Sequence, residues 1–276
     1  MLVNLNEVLK PAQRGKYAVG LFNAVNLELA RGIIAAAEQT GSPVIMGTAE
    51  VLLPYGELSL ISPSVIAAAK AAKVPVVVHY DHGLTVERCK QALDLGFTSI
   101  MFDGSAGDTA ENLKTTAEMV KLAHSMGVTV EGEIGHVGDA VTDDGATDDM
   151  YTTPKEAVDF VAATGVDALA VAIGTAHGVY RTKPKLDLDR LAEIRAAIDT
   201  PLVLHGGSGL SDDDFRNAIA GGIAKVNIFT DLCRAGLSAI HGNPDADYLI
   251  ARAKKVEAIK QETMKKMMLF GCNGKA

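Results

Sequence analysis

Short apolar runs alternate with longer segments of helical periodicity along almost the whole of the 276 residues. The runs are continuous stretches of Val, Ile, Leu and Ala, the pattern of strands buried on both faces. They fall at residues 17–22, 43–46, 76–78, 99–102, 128–133, 168–173, 202–204 and 224–227. Between them apolar residues recur at helical spacing, and the segments close at Gly41, Gly96, Gly127, Gly165 and Gly221, the usual place for a helix-ending glycine. Ser62-Pro63 reads as an N-cap followed by a first-turn proline and predicts a helix from there to Lys73. A charged helix over 246–269 finishes the chain. Strict strand–helix alternation argues for a parallel sheet. Eight units in this length predict one (β/α)8 TIM barrel, a single catalytic domain over 1–276. An open doubly wound sheet would want a GxGxxG loop after an early strand, and the chain has none.

One segment breaks the rhythm. Residues 134–153 carry Asp139, Asp143, Asp144, Asp148 and Asp149 and few core residues, so an acidic lid loop is expected after the fifth strand.

The residues at the strand ends change the picture from a fold to a site. They are Asn23, Gly47, Asp81 with His82, Asp103, Glu133, His177, His205 and Asn227, polar or ionisable at seven of eight places. In a parallel barrel that edge is where reacting groups collect. One histidine at a strand end is ordinarily a hydrogen-bonded structural residue. Three on different strands around one rim point to a metal or a reacting centre, and three imidazoles with an open position suit catalytic zinc. His82, His177 and His205 form the candidate ligand set, while His79, inside the third strand, reads as structural. Glu131 and Glu133 share one face of the fifth strand, pointing either into the barrel or, for Glu131, toward a helix. Asp103 and Glu133 are candidates for supporting the histidines or for an alternative metal position.

Glycines then point to an anion. Gly206-Gly207-Ser208-Gly209 follows the seventh strand and Asn227-Ile228-Phe229-Thr230 the eighth, the two loops that build the phosphate site of many barrels. Arg181, just beyond His177, offers a cation. Composition narrows the classes. Net charge is −8 and aromatics are 5% with no Trp, which argues against nucleic acid and an anionic membrane surface. Cys89, Cys233 and Cys272 show no paired spacing and read as reduced thiols. Residues 1–17 have no apolar core of signal-peptide type, and no run is long enough to span a bilayer, so a cytoplasmic enzyme is expected.

Asp81-His82-Gly83, Gly174-Thr175-Ala176-His177-Gly178-Val179-Tyr180, Leu204-His205-Gly206-Gly207-Ser208-Gly209 and Lys225-Val226-Asn227 resemble, in order and spacing, the class II zinc-dependent ketose-bisphosphate aldolases. Phe22-Asn23 and the stretch Val130 to Gly135 extend the likeness over nearly the whole chain. The resemblance implies reversible aldol cleavage of a phosphorylated ketose to dihydroxyacetone phosphate and an aldehyde. It implies Zn²⁺ on His82, His177 and His205, and proton exchange at the aldehyde-derived hydroxyl by Asp81. Gly178, Gly206, Ser208, Asn227 and Thr230 would hold the phosphate or enediolate, with Asn23 and Gly207 beside them. A monovalent cation near these carbonyls and a homodimer or homotetramer are also implied. Two departures stand out. The lid lacks the Glu that moves the ketone's proton in relatives, which leaves Asp143, Asp144 or Tyr180 to replace it. Phe229 stands where the fructose-bisphosphate enzymes have Asp, which reshapes the aldehyde side. Rival readings are a metal-dependent sugar-phosphate isomerase or epimerase, a Schiff-base aldolase with Lys225 as its amine, and a non-catalytic barrel.

Overall fold

The computed structural model describes residues 1–135, 151–178 and 184–276. Its first half runs β1 (Leu2–Val3), α1 (Leu5–Gly15), β2 (Val19–Asn23), α2 (Leu27–Thr40), β3 (Val44–Ala49), a 3₁₀ helix (Glu50–Tyr55), α3 (Leu58–Ala71), β4 (Val76–Gly83), α4 (Val86–Leu95), β5 (Ser99–Phe102) and α5 (Thr109–Ser125). The second half runs β6 (Thr129–Ile134), α6 (Pro154–Thr164), β7 (Ala168–Val171), α7 (Leu188–Ala197), β8 (Leu202–Leu204), α8 (Asp212–Ala220), β9 (Ile223–Ile228), α9 (Thr230–His241) and α10 (Tyr248–Leu269). Strands β2 to β9 are parallel and pair in chain order, and β9 returns to β2. The sheet is therefore a closed (β/α)8 barrel with α10 outside it, lying against α2 and α9.

Closure follows from composition. Val76, Val77 and Val78 are fully buried, as are Leu202, Val203 and Leu204. Such strands need cover on both faces, and the barrel interior and the helical ring provide it.

Two features depart from the pattern expected from sequence. The first is β1 with α1. Leu2 and Val3 pair beside Val76 and Val77 at the start of β4. In α1, Leu5 and Leu9 are fully buried. The Leu5 amide donates to Thr129 Oγ1 at 3.1 Å, and Asn6 Nδ2 donates to Asp167 Oδ1 at 2.6 Å. Those partners lie at the entry of β6 and just before β7, so α1 seats under the N-terminal end of the barrel. The second is α3, which begins at Leu58, one turn before Ser62-Pro63. Ser62 donates its hydroxyl back to the Leu58 carbonyl and so lies inside the helix, not at its cap.

Candidate metal centre and active site

Alternation along the strands places two polar layers inside the barrel. β4 points His79 and then Asp81 inward, while Tyr80 faces outward against Phe97. β6 gives Glu131 and then Glu133, and β9 gives Lys225 and then Asn227. The deeper layer is fully buried: His79, Ser99, Glu131 and Lys225 have no exposed surface. Lys225 Nζ lies 3.0 Å from Glu131 Oε1 and 2.8 Å from Oε2. His79 Nδ1 meets Ser99 Oγ at 2.8 Å. Glu131 thus points into the barrel, and the helix-facing alternative is excluded. Burial would raise its pKa, but Lys225 and His205 bring it down to about 2.

Above this layer the strand ends converge. The rings of His82 and His205 are 4.4 Å apart, those of His82 and His177 4.7 Å, and those of His177 and His205 5.7 Å. One ring nitrogen of each lies within 4.8 Å of the others. His82 Nδ1 meets Asp103 Oδ2 at 2.6 Å, and His205 Nε2 meets Glu131 Oε1 at 2.9 Å. The Nε2 atoms of His82 and His177 are buried and have no hydrogen-bond partner, while His205 Nδ1 faces the Glu133 carboxylate, with Oε2 at 3.0 Å. Buried polar atoms left over in this way are costly unless a ligand takes them up. A metal-binding imidazole characteristically gives its other nitrogen to a carboxylate, which is the arrangement of His82 and His205. The donor set therefore fits a metal such as zinc.

Charge is concentrated here. Burial would raise the Asp81 pKa, but His82, Lys225, His205 and His79 hold it well below the usual carboxylate range. The Asp81 carboxylate accepts hydrogen bonds from Asn23 Nδ2 at 3.1 Å and Asn227 Nδ2 at 3.0 Å. The oxygens of those two amides are buried and unpartnered. His177 is lowered to about 3, first by burial and then by His82. Burial alone would lower His205 too, but Glu131 and Glu133 push it up to about 10.

A cavity of about 460 Å³ opens over these groups. Asn23, Asp81, His82, Asp103, Glu133, His177, Gly178, Gly206, Gly207, Ser208, Asn227 and Thr230 all line it. Glu133 Oε2 lies 3.0 Å from His205 Nδ1, and its Oε1 accepts from Ser105 Oγ at 3.2 Å. Gly206 has φ of 64°, and a side chain there would run into the Ala176 carbonyl, so the backbone of this loop can pass close to a ligand only as glycine. The other wall is apolar, with Val51, Leu52, Leu84 and Phe229. Of these only Phe229 was flagged by sequence. Arg181, Tyr180, Asp143 and Asp144 lie outside the described residues, as does most of the expected lid. Lys225 is not among the lining residues and is locked to Glu131, which removes the Schiff-base alternative its strand position allowed.

Comparison with known proteins gives one consistent result. The family model for class II fructose-bisphosphate aldolase matches residues 3–275. A fructose-bisphosphate aldolase of Geobacillus stearothermophilus is 40% identical over 283 residues, covering 100% of this chain and 99% of that one. The protein YdjI of Escherichia coli K12, described as uncharacterized, is 40% identical over 277 residues and matches end to end. The crystal structure of the YdjI aldolase superposes with a TM-score of 0.92 at 39% identity, covering 100% of both chains.

Proposed function

The chain belongs to the class II fructose-bisphosphate aldolase family and is a lyase, and on that premise we propose that it cleaves a phosphorylated ketose to dihydroxyacetone phosphate and an aldehyde, with zinc on His82, His177 and His205. Family membership implies aldol cleavage of a ketose bisphosphate. The observation that carries the finer reading is the convergence of three imidazoles, two of them with unpartnered nitrogens, on one clamped carboxylate at the same strand ends. Zinc held there would supply Lewis-acid polarisation of the ketone carbonyl.

The chain's own groups do the rest. Asp81 stays ionised because of the surrounding cations, and Asn23 and Asn227 fix its orientation. It takes the proton from the hydroxyl that becomes the aldehyde oxygen in cleavage and returns it in condensation. The free amide oxygens of Asn23 and Asn227 accept from substrate hydroxyls. Gly178, Gly206, Gly207, Ser208 and Thr230 receive the phosphate through backbone N–H groups and the start of α9. The N-cap of α9, Phe229, makes no side-chain cap, and Ser208 Oγ accepts from the Phe229 and Asp231 amides at 3.3 and 3.4 Å, which ties the loop after β8 to the start of α9. A monovalent cation near these carbonyls belongs to the same reading. Asp103 and Glu133 orient the histidines, and Asp143, Asp144, Tyr180 and Arg181 stay assigned to the ketone proton and the phosphate. No helix among the described residues is long and apolar enough to cross a membrane, in keeping with a cytoplasmic enzyme. Exposed Val51 and Leu84 at the mouth, with exposed Tyr55 at the end of the 3₁₀ helix and Leu60 in α3, support assembly into a homodimer or homotetramer.

The test is exchange of deuterium from labelled dihydroxyacetone phosphate into water with no aldehyde present. Exchange that a chelator abolishes and Zn²⁺ restores is the expected result. Zinc-loaded protein that exchanges nothing would refute the ketone assignment. Conversion of a ketose phosphate to one product, with no carbon–carbon cleavage, would favour the isomerase alternative.

A further inference from the structure

We propose that Glu50 is a positioning residue for the metal site, its carboxylate strapping the chain on both sides of His82 and holding that imidazole in place. The inference rests on the reading of His82 as a zinc ligand.

His82 has φ of 45°, and among the described non-glycine residues only Lys16, at the end of α1, shares a positive value. A residue with a Cβ keeps left-handed backbone only where its surroundings over-determine it. Glu50 provides that constraint. Tyr80, two residues before His82, donates its hydroxyl to Glu50 Oε2 at 3.0 Å. Leu84 and Thr85, two and three residues after, donate their amides to the same oxygen at 2.8 and 3.2 Å. The Thr85 hydroxyl donates to Oε1 at 3.2 Å. One carboxylate thus collects donors from both flanks of the strained residue without a hydrogen bond to His82 or Asp81 themselves.

Position in the fold explains how. Ala49 pairs with Asp81 at the top of β3, so the next residue, Glu50, opens the 3₁₀ helix directly beside the β4 turn. On the other side Gly83 is packed closely against α4 and β5, where a side chain would meet Cys89 Sγ and, at 2.6 Å, the Met101 carbonyl. Between the strap and this packing the ring keeps Nδ1 on Asp103 and leaves Nε2 free toward the cavity.

A simpler role would be to serve the start of α4, which Thr85 caps by accepting from the Arg88 amide at 3.3 Å. The two roles separate by experiment on the full-length protein, using zinc affinity by competition with a chromophoric chelator and the visible spectrum of the cobalt-substituted form. Glu50→Ala is expected to weaken zinc binding about 10–100-fold, the range for removing support from a ligand, and to alter the cobalt spectrum. Glu50→Gln keeps one oxygen for the Tyr80, Leu84 and Thr85 donors and turns its N–H₂ to the Thr85 hydroxyl, but loses the charge that strengthens those bonds, so it falls between, and it serves as the reading if the alanine variant does not fold. Thr85→Ala removes the cap and only the one hydroxyl bond to Oε1, so it lowers thermal stability and weakens zinc binding far less than Glu50→Ala. Wild-type affinity and spectrum in both Glu50 variants would overturn the proposal. So would a loss in Thr85→Ala equal to that in Glu50→Ala. Zinc binding that is unchanged by His82→Ala would instead overturn the ligand reading on which the proposal stands.

Discussion

Two polar layers, two residues apart on the same strands, behave in opposite ways. β4 supplies His79 to the lower and Asp81 to the upper, β6 supplies Glu131 and Glu133, and β9 supplies Lys225 and Asn227. In the lower layer the charges close on themselves. Lys225 neutralises Glu131 at 2.8 and 3.0 Å, and His79 bonds Ser99. His79 Nε2 makes no hydrogen bond, yet burial, with Lys225 adding, lowers that imidazole to about 4 and keeps it neutral. In the upper layer the Nε2 atoms of His82 and His177 and the amide oxygens of Asn23 and Asn227 are left over, and those four residues line one cavity, with His205 buried behind them against Glu133. Buried polar atoms without a partner are uncommon and each needs a cause, and on the proposed reading a ligand in the cavity supplies one for the upper layer. The contrast marks which of the buried titratable groups here belong to chemistry.

Asp81→Asn should separate the layers most sharply. Turnover is expected to fall about 10²–10⁴-fold, the usual contribution of a positioned acid–base group, with unfolding midpoint and zinc content near those of the parent. A comparable loss of stability would move Asp81 into the structural layer. Lys225→Met should do the reverse. It leaves Glu131 buried without its counter-charge, at a cost of about 3–5 kcal/mol in urea unfolding. Full stability with lost activity would move Lys225 into the reactive layer.

The third prediction concerns pH. The folded pKa of His79 is lowered, so below 6.5 the unfolded chain takes a proton that the folded one refuses until about 4. Stability is therefore present above pH 6.5 and lost as pH falls toward 4, by up to about 3 kcal/mol. His79→Gln should flatten that part of the stability–pH curve, and an unchanged curve would remove His79 as its cause. The smallest effect belongs to Ser99→Ala, about 1 kcal/mol for one buried hydrogen bond, with catalysis and zinc affinity unaltered.

Much of this was legible in the chain because parallel barrel strands are apolar throughout and polar only where they end. A polar residue closing a Val-rich run, such as Asp81 after Val76 to Val78, announces its own position. The lower layer was harder. A period of two shows that Glu131 and Glu133 share a face but not which face, and the partner that decides it, Lys225, comes 94 residues later. The strap from Glu50 to Leu84 spans 34 residues and leaves no local trace. β1 has two residues, too few for any periodicity, and α1 went unassigned beside it. Ser62-Pro63 misled because a serine inside a helix can bond back to the preceding turn as readily as it can cap one.

The most direct test of the account is a crystal of the zinc-soaked protein with anomalous scattering measured on both sides of the zinc edge. The account predicts one dominant peak, within bonding distance of His82 Nε2, His177 Nε2 and His205 Nδ1, with nothing beside Lys225. A peak held by Asp103 and Glu133 without His177, or no ordered zinc in the barrel mouth, would contradict it.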